Sequence, residues 1–268
     1  MKFLRKWLYY GWSVLEIVWG IRNWPPMLAL LRHRDAVGET QVRLRRPRIQ
    51  LDIRGAMDLW AVKETFLDAF YTRYGTAVQD GWTVVDIGAG VGDFSILAAY
   101  RHSNVKVFAY EPFPGSYQLL EKNLDQNGLN NVMAFQQAVW GVGGTLSLDL
   151  SGGEPLQMTS HGDESRRDRE EVIVVPAVTL QDVLTVQDIE RIDLLKLDCE
   201  GAEYSILMDS SQEVLNRIDR IIMEVHELDA ERSHPALAAF LEDSGFQVEW
   251  HPNVVHGDIG YLSASRRA

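Results

Sequence analysis

Only one cysteine, Cys199, occurs in the 268 residues. That excludes an intramolecular disulfide and fits a reducing compartment, so a cytoplasmic location is expected. Long apolar runs are also missing. The stretch from Trp7 to Ile21 contains Glu16 and stops at Arg22, short of the roughly 20 residues that a membrane span needs. Its basic start lacks the small-residue cleavage site of a secretory signal. No internal repeat is visible. Beyond residue 48 basic residues are outnumbered, 16 Lys and Arg against 35 Asp and Glu, whereas residues 1–48 carry 10 against 3. A body with a net charge of −19 is a poor partner for nucleic acid, whose binding rests on phosphate neutralisation.

What is present begins with that basic, tryptophan-rich start. Leu4, Trp7, Leu8, Val14, Leu15 and Val18 recur at helical spacing behind Lys2, Arg5 and Lys6. Two readings stand side by side: a helix on a membrane surface, touching it through residues 1–24, or a helix packed on its own domain or a partner, including a homodimer mate. Pro25 and Pro26 are expected to end this helix. A basic linker then runs into a short strand at Arg48–Ile53, giving an extension over 1–48 and a main domain over 49–268. Residues 57–75 read as one amphipathic helix with Leu59, Val62, Phe66, Leu67 and Phe70 on its apolar face.

From Trp82 onward strand and helix patterns alternate. Strands are predicted at Thr83–Ile87, Lys106–Glu111, Asn131–Gln137, Ile192–Asp198, Asp219–Val225, Phe246–Trp250 and Gly260–Ala264. Helices are predicted at Phe94–Arg101, Gly115–Asn127, Ala202–Met208 and Pro235–Ser244. This alternation describes an α/β fold with a parallel sheet covered by helices on both faces, its last two strands forming an antiparallel hairpin. The pattern breaks over 142–176, where two extra strands flank a long polar segment. A segment of that kind inside a compact domain suggests a substrate-side flap.

The turn after the first sheet strand carries the first chemical signal. Asp86 is followed by Gly88, Gly90 and Gly92, at the crevice edge where nucleotide-like ligands bind. The spacing is Gly-x-Gly-x-Gly and not the Gly-x-Gly-x-x-Gly of dinucleotide binders. A carboxylate at the entrance suits a ligand with a cationic centre. Both departures favour S-adenosylmethionine (SAM) over NAD. Glu111, 19 residues after Gly92, is placed to accept hydrogen bonds from ribose hydroxyls.

The stretch "DLLKLDCEGAEYSIL" is the second signal. Asp198 and Glu200 follow a buried strand and face the same crevice as the glycines. Glu224 and His226, two apart on the next strand, share one side of it. His226 is the candidate general base, with Asp198, Glu200 and Glu224 around it. A divalent cation held by these carboxylates and His226 is the competing account. His251, His256 and His161 fall in turns and rank below. Cys199 reads as a buried small hydrophobe.

With "VVDIGAGVGDFSILAA", "VFAYEPFPGSYQLLEKNLDQNGLNNV", "VPAVTLQDVL" and "IDLLKLDCEGAEYSILMDS" in this order, the chain resembles the FkbM family of SAM-dependent methyltransferases from about Asp52 to Val225. The resemblance implies a Rossmann-like class I sheet of seven strands, the last antiparallel, and methyl transfer to a hydroxyl of a sugar, glycan, glycolipid or natural product. It further implies that Asp86, Gly88, Ala89 and Gly90 line the methionine end of SAM. Glu111 would hold the ribose, Gln137 and Ala138 would sit near the adenine, and Asp198 would stand beside the cofactor. Residues 1–48 lie outside the resemblance. A SAM-binding scaffold without turnover and an NAD-dependent oxidoreductase are the rival functions.

Overall fold

In a computed structural model, residues 2–32, 38–149, 157–159, 172–253 and 259–267 are described. The chain opens with helix α1 (Lys2–Gly20) and helix α2 (Trp24–Arg32). Pro25 and Pro26, expected to end the first helix, instead stand in the first turn of the second. There the missing N–H has no helical partner to lose. Strands β1 (Thr40–Arg43) and β2 (Gln50–Ile53) pair antiparallel, with Thr40 opposite Ile53. The hairpin straddles the boundary expected near residue 48. Ile17, Ile21, Met27 and Val42 share one apolar core with Leu51, Leu59, Ile96 and Leu120, so the extension is packed into the domain.

The helix expected over 57–75 is broken into three pieces. Helix α3 (Ala56–Lys63) runs into a π-helical turn at Glu64–Asp68, Ala69 takes a left-handed conformation, and helix α4 (Phe70–Tyr74) follows. A π turn adds a residue per turn and rotates the faces of the flanking helices relative to one another, a device found at functional sites.

Then comes the alternation: β3 (Thr83–Ile87), α5 (Asp93–Ala99), β4 (Lys106–Tyr110), α6 (Pro114–Gln126) and β5 (Val132–Phe135). A smaller sheet follows from β6 (Ala138–Val139), β7 (Gly144–Asp149), β8 (Gln157–Thr159) and β9 (Val172–Val178), in the order β6-β9-β7-β8. The extra strands expected in the 142–176 segment are β7 and β9; residues 150–156 and 160–171 lie outside the described residues, and so do His161 and His256. Helix α7 (Leu180–Val186) is entered through a capping box between Thr179 and Asp182. The chain closes with β10 (Leu194–Leu197), α8 (Glu203–Met208), α9 (Gln212–Leu215), β11 (Arg220–His226), α10 (His234–Asp243), β12 (Phe246–Pro252) and β13 (Ile259–Arg266).

The seven-stranded sheet has the order β12-β13-β11-β10-β3-β4-β5. β13 alone runs antiparallel, inserted between β11 and β12. This is the class I methyltransferase arrangement expected above. Apolar side chains fill both faces: Val85, Ile87, Leu195, Leu197 and Met223 on one, Val84, Phe94, Val107, Leu194 and Ile222 on the other. Because β4, β3, β10 and β11 are parallel, their carboxyl ends open on one edge, and that edge carries Glu111, Gly88, Asp198 and His226.

Candidate active site

The backbone at the end of β3 has little freedom. Gly88 has φ +71°, and a Cβ there would stand 1.8 Å from the carbonyl oxygen of Asp198. Only glycine meets both demands. The N–H groups of Gly88 and Ala89 both donate to the Tyr110 carbonyl at 3.0 Å, so the turn is stitched to β4 while pressed against the end of β10. Gly90 donates to Glu111 Oε2 at 2.8 Å, and a Cβ on Gly90 would meet nothing within 4 Å. This is the open side of the turn. Ala89 itself is buried and offers a ligand only its backbone.

Glu111 is buried at the end of β4, its other oxygen accepting from the Phe113 N–H at 2.9 Å. Burial pushes its carboxyl up to about 7 against the opposing pull of those two amides. Gln137 is half-buried. Ala138 points into the small sheet's core with Leu146, Leu148 and Val175, so it too can meet a ligand only through its backbone.

Asp86 departs from expectation. Its side chain has no exposed surface; it accepts from Ser95 Oγ at 2.6 Å and pairs with Lys196 Nζ at 3.0 Å. The cation that Asp86 meets is therefore the protein's own. Lys196 Nζ also donates to the Gly88 carbonyl at 2.7 Å and stands 3.9 Å from Asp198 Oδ2. Burial opposes its charge, but Asp86, Asp198 and Asp93 outweigh that and raise its pKa. Asp86 thus holds the glycine turn through Lys196 and does not face the crevice.

His226 is the second correction. Its Nδ1 lies 2.8 Å from Glu203 Oε1, and its Nε2 lies 3.1 Å from Glu200 Oε2 and 3.7 Å from Glu224 Oε1. Burial would discharge the ring, yet the hydrogen bonds to Glu200 and Glu203 prevail and carry its pKa up to about 11. An imidazolium with both nitrogens engaged cannot take a proton near neutral pH. Glu200 reaches the ring from a left-handed backbone conformation, φ +54°, which a non-glycine residue adopts only where its surroundings hold it there.

Asp198, Glu224 and His226 bring three potential metal-ligand atoms within 4.8 Å of one another. Both ring nitrogens of His226 already face carboxylate oxygens, Nδ1 that of Glu203 and Nε2 that of Glu200, so a cation bound at this group would have to displace Glu200 and the ring proton. Here the imidazolium supplies the positive charge among the carboxylates.

Three side chains not singled out in the sequence complete the cleft. Tyr71 Oη donates to Asp198 Oδ2 at 2.9 Å. Glu64, in the π turn, accepts from Trp60 Nε1 at 2.9 Å, and burial, with Asp198 and Asp68 nearby, pushes it up to about 8. Tyr261 lies opposite Glu224 in the β11–β13 register, its hydroxyl raised by burial and by Glu224. Phe70 and Tyr74 pack on the Tyr261 ring at 4.8 and 5.5 Å, and His251 stacks on Tyr74 at 4.5 Å.

These raised groups give stability a definite pH dependence. Glu111 and Glu64 titrate near 7 and 8 when folded and near 4.3 when unfolded. The folded state therefore binds more protons in between, so their stabilisation is complete below about pH 4.3 and is lost as pH rises through about 8. His226, raised to about 11, acts the same way from about pH 6.5 upward. The exposed carboxyls with lowered pKa, such as Asp80 and Asp229, act below about pH 4 and do not oppose this. Tm in scanning calorimetry should fall steadily between about pH 6 and 9; a rise over that span contradicts the assignment.

A family model, the methyltransferase FkbM domain, matches residues 86–248. Over 202 residues the chain is 31% identical to methyltransferase sdnD of Sordaria araneosa, covering 63% of this chain and 77% of that protein. Over 233 residues it is 28% identical to the 31-O-demethyl-FK506 methyltransferase FkbM of Streptomyces tacrolimicus, covering 77% and 89%. Among solved structures it is similar to a methyltransferase FkbM from Methylobacillus flagellatus, with 12% identity, a TM-score of 0.49 and coverage of 76% and 47%.

Proposed function

This chain belongs to the FkbM family of methyltransferases, enzymes that draw their methyl group from SAM, and we propose that its acceptor is a hydroxyl group of a sugar, glycolipid or natural product. The observation that carries the reading is the position of Asp198, whose carbonyl touches the glycine turn and whose carboxylate opens into the cleft beside it. The name of the Streptomyces relative describes methylation of an oxygen, which supports the same chemistry.

The donor set fits SAM. Gly90 leaves the turn open on its outer side, Glu111 ends β4, and the partly exposed Asp198 carboxylate lies beside the turn. In this reading the backbone of Gly88, Ala89 and Gly90 borders the methionine end, Glu111 accepts from the ribose hydroxyls, and Gln137 with the Ala138 backbone borders the adenine. Bound SAM supplies an electrophilic methyl carbon on a positively charged sulfur.

The chain's own residues handle the proton. A hydroxyl is a poor nucleophile until a base takes its hydrogen. Burial raises Glu64 to about 8, so it holds its own proton near neutral pH, and burial with Asp198 and Glu64 nearby raises Glu224 as well. Glu200 and Glu203 are committed to His226. Asp198 is the remaining carboxylate of the group, with 31% of its side chain exposed against 16% for Glu224. It accepts the proton, oriented by Tyr71, while the His226 imidazolium steadies the negative charge.

The product's stability tests the acceptor class. Radiolabelled methyl from SAM, transferred by the full chain into a small-molecule extract, should survive mild alkali as an ether. Label released as methanol by alkali would identify an ester and overturn the hydroxyl reading.

A further inference from the structure

Helix α1 has two unlike sides. Ser13, Ile17 and Ile21 are buried, Glu16 pairs with Lys63 at 3.2 Å, and Gly20 faces Leu67 so closely that a Cβ would stand 2.3 Å from its Cδ2. That side is seated on α3 and the π turn. Opposite it, Trp12, Leu15 and Trp19 are 53%, 43% and 64% exposed. Their spacing of three and four residues sets them on one stripe, and the two indoles meet edge to face at 6.2 Å.

Cationic side chains gather at the end of that stripe. The Arg22 N–H donates to the Arg43 carbonyl at 2.7 Å, and the Arg45 N–H to the Gly20 carbonyl at 2.8 Å. The β1–β2 turn is thereby fastened to the end of α1. Arg22, Arg43, Arg45, Arg46 and Arg48 are all exposed, and none forms an ion pair with another described residue. The rest of the protein carries a net charge of −19.

We propose that the exposed face of α1, with the arginines of the β1–β2 turn, docks on an anionic lipid bilayer. Tryptophan and leucine on one side of a surface-lying helix, flanked by arginine, match the apolar boundary and the charged headgroups of such a surface. A second copy of the chain fits the face less well. The like face of a second copy offers tryptophan and leucine but no anionic group for the arginines, whereas anionic headgroups complement them and the acidic body is held away. The other side of α1 rests on the π turn that carries Glu64, so the docking helix also backs a wall of the cleft. The proposal does not depend on which acceptor is methylated.

The test is co-sedimentation of the full chain with vesicles of phosphatidylcholine and phosphatidylglycerol at about 7:3, against phosphatidylcholine alone. The anionic vesicles should bind at least about tenfold more protein, with the preference shrinking as salt rises. Trp12→Ser with Trp19→Ser should lower that binding at least about tenfold, and Arg43→Gln with Arg45→Gln and Arg46→Gln should remove the anionic preference. Both sets lie on exposed positions, and unchanged SAM binding by the variants reports that they fold. Equal or absent binding to the two vesicle types overturns the proposal. So does a dimer seen by light scattering without vesicles that Trp12→Ser with Trp19→Ser dissociates, since the face would then belong to a second copy.

Discussion

Replacing Asp198 by Asn is expected to lower the turnover of methyl transfer by about 10²–10⁴-fold while SAM affinity stays within a few-fold of the native protein. The asymmetry follows from the geometry. Asparagine keeps an oxygen to accept from Tyr71 Oη, now 2.9 Å from Asp198 Oδ2, and leaves the Asp198 carbonyl against Gly88 unchanged. What it removes is the proton acceptor, and the neighbours cannot replace it. His226 is already protonated, Glu200 and Glu203 hold it, and the Glu224 carboxyl is raised by burial and less exposed than Asp198. The pH–rate profile of the variant should also lose the limb that reports the base. Turnover within about threefold of native, with SAM still bound, would remove Asp198 from the proton path.

The second large effect is on stability. Lys196→Met should destabilise the fold by about 3–5 kcal/mol, because removing one partner of a buried ion pair strands the other. Asp86 has no exposed side-chain surface and would keep only Ser95 as a partner. Lys196 also ties the Gly88 carbonyl at 2.7 Å, so the turn loosens along with the core. In a chain of this size the loss corresponds to a fall in Tm of about 10 °C. Combining Lys196→Met with Asp86→Asn should recover part of it, since the stranded charge is then gone. A loss under about 1 kcal/mol in urea denaturation for the single variant would mean that the pair is not what holds the turn.

Asp86 and His226 also mark where reading the chain by itself stops. The strand, glycine turn and helix from Thr83 to Ala99 were legible because an apolar run, three closely spaced glycines and a 3.6-residue periodicity agree locally. The expected bounds Thr83–Ile87 match β3 residue for residue. The identity of a carboxylate's partner is not local. Asp86 pairs with Lys196, and His226 with Glu203, across long stretches of chain, and no spacing rule joins them. A histidine among glutamates reads as a base until geometry shows two hydrogen-bonded carboxylates holding its proton. The π turn at Glu64 was hidden for another reason. Leu59, Val62, Phe66 and Phe70 keep an acceptable helical rhythm across it, so the break appears only when Ala69 is seen in a left-handed conformation. Tyr71 and Tyr261 carried the signature of core aromatics, which they also are. The two prolines after α1 misled because proline stops a helix from within yet starts one readily.

The most direct test of the account is a calorimetric titration of the full chain with SAM, run beside NAD and repeated on Glu111→Gln. The account predicts that SAM binds, that NAD does not, and that Glu111→Gln weakens SAM by about 10–100-fold, the worth of hydrogen bonds to a charged group. Heat from NAD but not from SAM, or SAM affinity untouched in Glu111→Gln, would contradict the assignment of the Gly88–Gly92 turn and the end of β4 as the cofactor site.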